Sequence, residues 1–269
     1  MTQLAEKTAE NLEKLRSTKP LVHNITNFVV MNFTANVLLA AGAAPVMAHA
    51  ENEVEEMAGF AGALVLNIGT LTDVWVESMI KAGHTCSKLG KPIILDPVGS
   101  GATMLRTSTS KRIIEETSIS VIRGNSSEIL SLGDDNSKTR GVDAIHSVDE
   151  AADAAIALAK ELGTTLSITG PIDLVTDGKR LIRTENGHAL MPYVTGTGCA
   201  ATAIIGAFAA VDPDPVTATA TALAYYGLAG ELAGKLSSGP GNFTVNLLDA
   251  LYNLTPEDVK RGVRIRQYS

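Results

Sequence analysis

Short apolar runs rich in β-branched residues alternate with longer stretches of helical spacing along most of this chain, which narrows the folds open to it more than any other feature. Runs of that kind suit strands covered on both faces, and their alternation with helices is the signature of βα units in a mostly parallel sheet. The predicted strands are 45–48, 63–68, 92–95, 120–123 and 165–168, followed by 174–176, 181–184 and a run near 189–194. The last three are predicted antiparallel, because Asp177-Gly178 and Asn186-Gly187 stand between short runs and suit the positive φ of hairpin turns. Helical spacing covers 28–41, 74–89, 110–117 and 148–162, and two Ala-rich patterns, 198–210 and 215–236, predict buried helices. The fold class is α/β. With no Pro/Ser-rich linker, low-complexity tract or repeat, and only the polar stretch 133–140 as an interruption, residues 1–269 are expected to form one domain.

A chain of 269 residues that is 45% hydrophobic has ample material for a core. Its net charge of −7 argues against capture of nucleic acid or an anionic membrane surface, so an anionic ligand would need a local site. The N-terminal stretch is polar, with Leu4, Leu12 and Leu15 on one helical face, unlike a signal peptide. The richest apolar stretch, 198–211, is closed by Asp212 and Pro213 before it reaches membrane-spanning length. Two cysteines, Cys86 and Cys199, are too few for a disulfide framework and fit a reducing cytoplasm. Cys86 sits in a helical pattern, where a small buried hydrophobe is expected.

The sequence Val194-Thr195-Gly196-Thr197-Gly198-Cys199 leads straight into a helical pattern. Glycines at 196 and 198 allow a tight turn and close approach of the backbone, and the free N–H groups of a helix start face negative charge, so the segment reads as an anion hole. Thr195 and Thr197 add hydroxyl donors. It is not a Walker A loop, since no Gly-Lys-Ser/Thr follows, and without a third glycine it is a poor dinucleotide fingerprint. Taken alone, Cys199 is a small residue that fits a helix start; a nucleophilic hydrolase would also need a partner among His23, His49, His84, His146 and His188.

Two acids stand at addresses of interest. Asp96 follows the apolar run 93–95 and opens Asp-Pro-Val-Gly-Ser-Gly, at a strand's C-terminal end, where open α/β sheets bind ligands; Asp-Pro is equally a plain turn signal. Asn125 and Glu128 follow the next strand at the spacing of a capping box, which would occupy the glutamate with the helix end. Arg123, just before them, suits either a phosphate or a surface carboxylate.

The turn ending in Cys199, Asn125-x-x-Glu128, His23-Asn27, Ala43-Ala48, Asn67-Thr70 and Gly239-Phe243 together resemble the hydroxyethylthiazole kinases of the ribokinase-like superfamily, from about Leu21 to Val245. The resemblance implies a three-layer α/β/α fold whose mostly parallel sheet has an antiparallel edge. It implies ATP- and Mg²⁺-dependent phosphorylation of the primary hydroxyl of 4-methyl-5-(2-hydroxyethyl)thiazole, a salvage step toward thiamine diphosphate. Cys199 would be the base or orienting group, where sister families carry Asp, with help from the helix N-terminus in forming a thiolate. Gly196, Asn27 and Met47 would contact the substrate; Arg123, Thr169, Thr197 and Gly198 the nucleotide; Asp96 and Glu128 would hold Mg²⁺ largely through water. From local chemistry alone, Asn27 reads as a loop cap and Met47 as core filler. The resemblance also implies a homotrimer with acceptor sites between subunits. The alternatives are a ribokinase-like kinase for hydroxymethylpyrimidine or a sugar, which would usually show Asp at 199, and a non-catalytic nucleotide- or thiazole-binding regulator.

Overall fold

The computed structural model describes residues 3–133 and 148–268, so His146 and most of the polar stretch 133–140 lie outside the described residues. Nine strands form one sheet, in spatial order β2 (Ala44–Val46), β1 (Leu21–Ile25), β3 (Ala63–Asn67), β4 (Ile93–Asp96), β5 (Val121–Gly124), β6 (Thr165–Ile168), β7 (Asp173–Thr176), β8 (Leu181–Thr184) and β9 (Ile265–Tyr268). The first six are parallel and the last three antiparallel. Helices α1 (Gln3–Thr18), α2 (Met31–Ala41), α8 (Thr197–Ala209), α9 (Pro215–Lys235), α10 (Pro240–Asn253) and α11 (Pro256–Gly262) share one hydrophobic core. Those on the opposite side are α3 (Val54–Phe60), α4 (Asp73–Leu89), α5 (Met104–Glu116), α6 (Ser126–Leu130) and α7 (Val148–Leu162). The result is the expected three-layer α/β/α arrangement with an antiparallel edge.

Strand alternation divides the sheet residues between the two cores: Val65, Ile94 and Val121 face α8 and α9, while Leu66, Leu95 and Ile122 face the other layer. Thr72, Thr103 and Asp214 accept backbone N–H bonds at the starts of α4, α5 and α9, which fixes where those helices begin. Cys86 is fully buried on α4, as a small hydrophobe should be, and burial pushes its thiol up to about 11.

The sequence reading misses β1 and β9 and misplaces one edge strand. The run 189–194 is no strand: it holds a 3-10 turn over Met191–Tyr193, with Pro192 unable to donate to a ladder. Nor is Asn186-Gly187 a hairpin turn. The Asn186 amide donates to Glu231 on α9 and to the Gly262 carbonyl, and its oxygen accepts from the Arg264 N–H, so it brings in the C-terminal strand β9 as the third antiparallel member. Asp177-Gly178 does turn the β7–β8 hairpin, with Gly178 at φ 85°. At the other end, β1 pairs with β2 on one side and β3 on the other, so the chain reverses direction across the sheet there. Ligand crevices of open α/β sheets form beyond the strand C-termini at such a switch point.

Candidate active site

The loops beyond β1, β3 and β4 and the start of α8 meet at that rim. Asp96 ends β4 and is 1% exposed; its Oδ2 accepts bonds of 2.8 Å from Asn67 Nδ2 at the end of β3 and 2.8 Å from Thr202 Oγ1 on α8. Arg123 Nη1 stands 3.8 Å from the same oxygen. Burial pushes the Asp96 carboxyl up to about 6, opposed by Arg123 and by the two hydrogen bonds.

Asn67 passes the polarity of Asp96 onward. Its Nδ2 faces the carboxylate, so its Oδ1 is left to accept from the Gly69 N–H at 3.0 Å and from Asn27 Nδ2 at 2.8 Å. Asn27 Oδ1 accepts from the Val29 N–H, which turns its amide nitrogen toward Cys199 Sγ at 3.6 Å. An acid, two amides and a thiol therefore form one ordered line, each amide held in a single orientation by a backbone donor.

Cys199 occupies the first turn of α8, whose N-cap is Gly196 at φ 94°. No histidine among the described residues is its hydrogen-bond partner, which removes the support a hydrolase reading needs. Its thiol is pushed up to about 11, by burial first and by the Asp96 charge second, against weaker help from Asn67, Arg123 and Asn27. Burial therefore works against the thiolate that the helix end is expected to favour.

Gly198 makes room for Arg123. A Cβ there would lie 2.9 Å from Arg123 Nη1, closer than real Cβ contacts allow, so only glycine lets the guanidinium lie against the helix start. Arg123 Nη2 donates to Thr169 Oγ1 at 2.5 Å. Arg123, Thr169, Thr197 and Gly198 all line one cavity of about 680 Å³, together with Met191 and Tyr226. A larger hollow of about 860 Å³ between α9, α10 and α11 holds none of the sequence-derived candidates, and no unpaired buried polar atom lines it.

Glu128 takes the capping role its spacing announced: Oε2 accepts from Asn125 N–H at 2.9 Å, while Asn125 Oδ1 accepts from Glu128 N–H at 2.9 Å. Its other oxygen accepts from the Gly99 N–H at 2.8 Å, tying the loop after Asp96 to the start of α6. Arg106 pins the same region, donating to the carbonyls of Ile68, Gly69 and Val98. No group of three or more metal-ligating side chains occurs among the described residues. Met47 follows the edge strand β2, next to β1, whose following loop carries Asn27. Its loop is joined to the Asn27 loop through rings: His49 lies 4.6 Å from Trp75, and Trp75 4.6 Å from Phe28. Thr202 and Arg106 have contacts at the site that no local motif signals.

Residues 12–257 match the sequence model of the hydroxyethylthiazole kinase family. The hydroxyethylthiazole kinase of Desulfotalea psychrophila is 64% identical over 269 residues, covering 100% of this chain and 98% of its own. That of Desulfosudis oleivorans is 54% identical, covering 98% and 97%. The solved structure of a hydroxyethylthiazole kinase protein from Pyrococcus horikoshii OT3 superposes with a TM-score of 0.90 at 45% identity, over 98% of this chain and 99% of that one. A pyridoxal kinase from Staphylococcus aureus shares the fold at a TM-score of 0.64 and 14% identity, over 93% and 98% of the two chains.

Proposed function

The chain belongs to the hydroxyethylthiazole kinase family, and on that basis we propose that it transfers the γ-phosphoryl group of ATP to the primary hydroxyl of 4-methyl-5-(2-hydroxyethyl)thiazole, as a salvage step toward thiamine diphosphate. The observation that carries the reading is the convergence at one rim of Cys199, the amide line to Asp96, and Arg123 beside the α8 N-terminus, all next to a cavity of about 680 Å³.

The nucleotide's phosphates would lie along Arg123, Thr169, Thr197 and Gly198. There the guanidinium fork and the free N–H groups of the helix start stabilise the charge that spreads over the transferring group. As the alcohol oxygen bonds to the γ-phosphorus, the bond to the β–γ bridging oxygen breaks, ADP leaves with that oxygen, and the alcohol proton passes to an oxygen of the transferred phosphoryl group. In a largely dissociative transfer that proton leaves late, so positioning matters more than base strength. A thiol at about 11 suits that division of labour: Cys199 orients the hydroxyl, with Asn27 fixing the thiol's direction. Gly196, Asn27 and Met47 would bound the acceptor.

The donor chemistry fits Mg²⁺ held through water. Asp96 and Glu128 are hard oxygen ligands whose hydrogen-bond partners leave further lone pairs, and the Glu128 charge reaches Asp96. Held by Asp96 and Glu128, the ion would offset the negative charge of the phosphates.

One domain spanning 1–269 is supported by the single sheet that both cores share. A homotrimer with acceptor sites between subunits is supported by apolar side chains left bare around the rim, Phe28 at 61% and Met104 at 91% exposed. A cytoplasmic location is supported by two free cysteines; no described helix is long and apolar enough to cross a membrane. The test is a coupled ADP-release assay with Mg²⁺-ATP and hydroxyethylthiazole, beside hydroxymethylpyrimidine and ribose. Release confined to the thiazole is expected; faster release with either control, or tight binding with no release, would overturn the assignment.

A further inference from the structure

Among the buried side-chain polar atoms on the α8–α9 side of the sheet that have no hydrogen-bond partner among the described residues are Arg123 Nε, Ser167 Oγ and the Tyr226 hydroxyl oxygen. Arg123 and Ser167 are register partners on β5 and β6 and so leave the sheet on the same face. Tyr226 descends on them from α9, is 2% exposed, and stands with Arg123, Thr197 and Gly198 in the wall of the 680 Å³ cavity. Its neighbour Tyr225 is just as buried, yet donates to the Leu251 carbonyl at 2.6 Å and is satisfied within the fold. Tyr226 has no such bond, and a phenylalanine would fill the same space without stranding a hydroxyl.

We propose that the Tyr226 hydroxyl is a further phosphate-binding group of this site, donating to a non-bridging oxygen of the nucleotide that Arg123 also holds. This rests on the kinase reading above. Two kinds of acceptor could satisfy the hydroxyl, neutral or anionic. The Arg123 guanidinium, whose charge acts on Tyr226, and the N-terminal turn of α8 favour the anion, in a cavity that Asp173 and Glu185 also line. Burial raises the phenol further above its ordinary value, so it keeps its proton and remains a donor throughout the working range. The hydroxyl is stranded in the free protein and engaged in the complex, an arrangement that converts an unfavourable burial into binding selectivity for a charged oxygen.

The experiment is Tyr226→Phe, read in two ways that a purely structural role would not separate. Thermal unfolding of the free variant should occur at the wild-type temperature or slightly above it, because a stranded hydroxyl has been removed. The rise in unfolding temperature that ADP or ATP produces should shrink, ADP should bind about tenfold more weakly by calorimetry, and KM for ATP should rise by about the same factor while KM for the thiazole stays put. Unchanged ADP affinity and unchanged KM for ATP would overturn the inference. Wild-type protein that binds ADP but releases none with the thiazole would sink the kinase reading alone, since the ADP-binding comparison still judges Tyr226. A free variant that unfolds well below wild type would show that the hydroxyl has a partner within the fold, and the proposal would fall with it.

Discussion

Asp96 is held in a place that works against its own charge. Its carboxyl sits at about 6 in the folded protein against an ordinary 3.8, with burial as the dominant cause. The folded chain therefore keeps this proton over a range where the unfolded chain has already lost it. That contribution to stability is fully present below pH about 4, and is lost as pH rises through about 6. Replacing Asp96 by Asn removes the ionisation while keeping an oxygen for Asn67 and Thr202. In metal-free protein at pH 7 the variant should be more stable by roughly 1–3 kcal/mol, and the gain should vanish near pH 4. Phosphoryl transfer should fall by about a hundredfold or more, because the anion beside Arg123, proposed to help hold Mg²⁺, has gone. Urea unfolding at the two pH values, beside the ADP-release assay, checks both halves; equal stability at pH 7 would mean that the fold already compensates the charge. A residue with this signature, costly to the fold and placed at a switch point, is what a site acid should look like.

At the level of elements, the decisive piece is the first turn of α8, where two glycines serve different ends. Gly196 has φ 94°, and a Cβ there would lie 2.9 Å from Val30 Cγ1, so Gly196→Ala should destabilise the protein by about 1–3 kcal/mol, combining a left-handed penalty with a clash. Gly198 lies within the helix, and its Cβ would meet only the end of the Arg123 side chain. Gly198→Ala should leave thermal stability within about 1 kcal/mol of wild type, through better helix propensity, and weaken ADP binding at least tenfold by pushing the guanidinium away. Calorimetry with ADP and a melting curve separate the two; tight ADP binding by Gly198→Ala would detach Arg123 from nucleotide recognition.

The same element shows what the sequence could and could not tell. Strand-to-helix turns carrying Cys199, Asp96 and Asn125-x-x-Glu128 were legible because each is a local pattern. Thr202 and Arg106 were not, since each acts through contacts distant in the chain, as Thr202 does across 106 positions to Asp96. Strand β1 was hidden because His23 and Asn24 interrupt its apolar run although both are fully buried, with His23 Nε2 paired to the Ala48 carbonyl. Strand β9 was hidden because only Ile265 faces the core.

Across the whole molecule the proposed acceptor site draws on two stretches of the rim. Cys199 and Asn27 touch, and Met47 follows the edge strand β2, next to β1. An acceptor site shared between subunits would take its thiol from one chain and an apolar wall from another. In the proposed trimer a neighbour's Met47 would supply that wall, and the bare Phe28, Val29 and Met104 side chains would be covered by the same contact. This can be decided by complementation. Cys199→Ala should keep the fold and lose most turnover, and Met47→Glu should lose acceptor binding through a charge in an apolar wall. If each site takes its thiol from one subunit and its methionine from the next, an equal mixture refolded together restores both in about a quarter of the sites. Activity near that fraction, from two variants that are inactive alone, is the expected result, with light scattering reporting three chains per particle. If each site were built within one chain, every site in the mixture would carry one lesion and no activity would return.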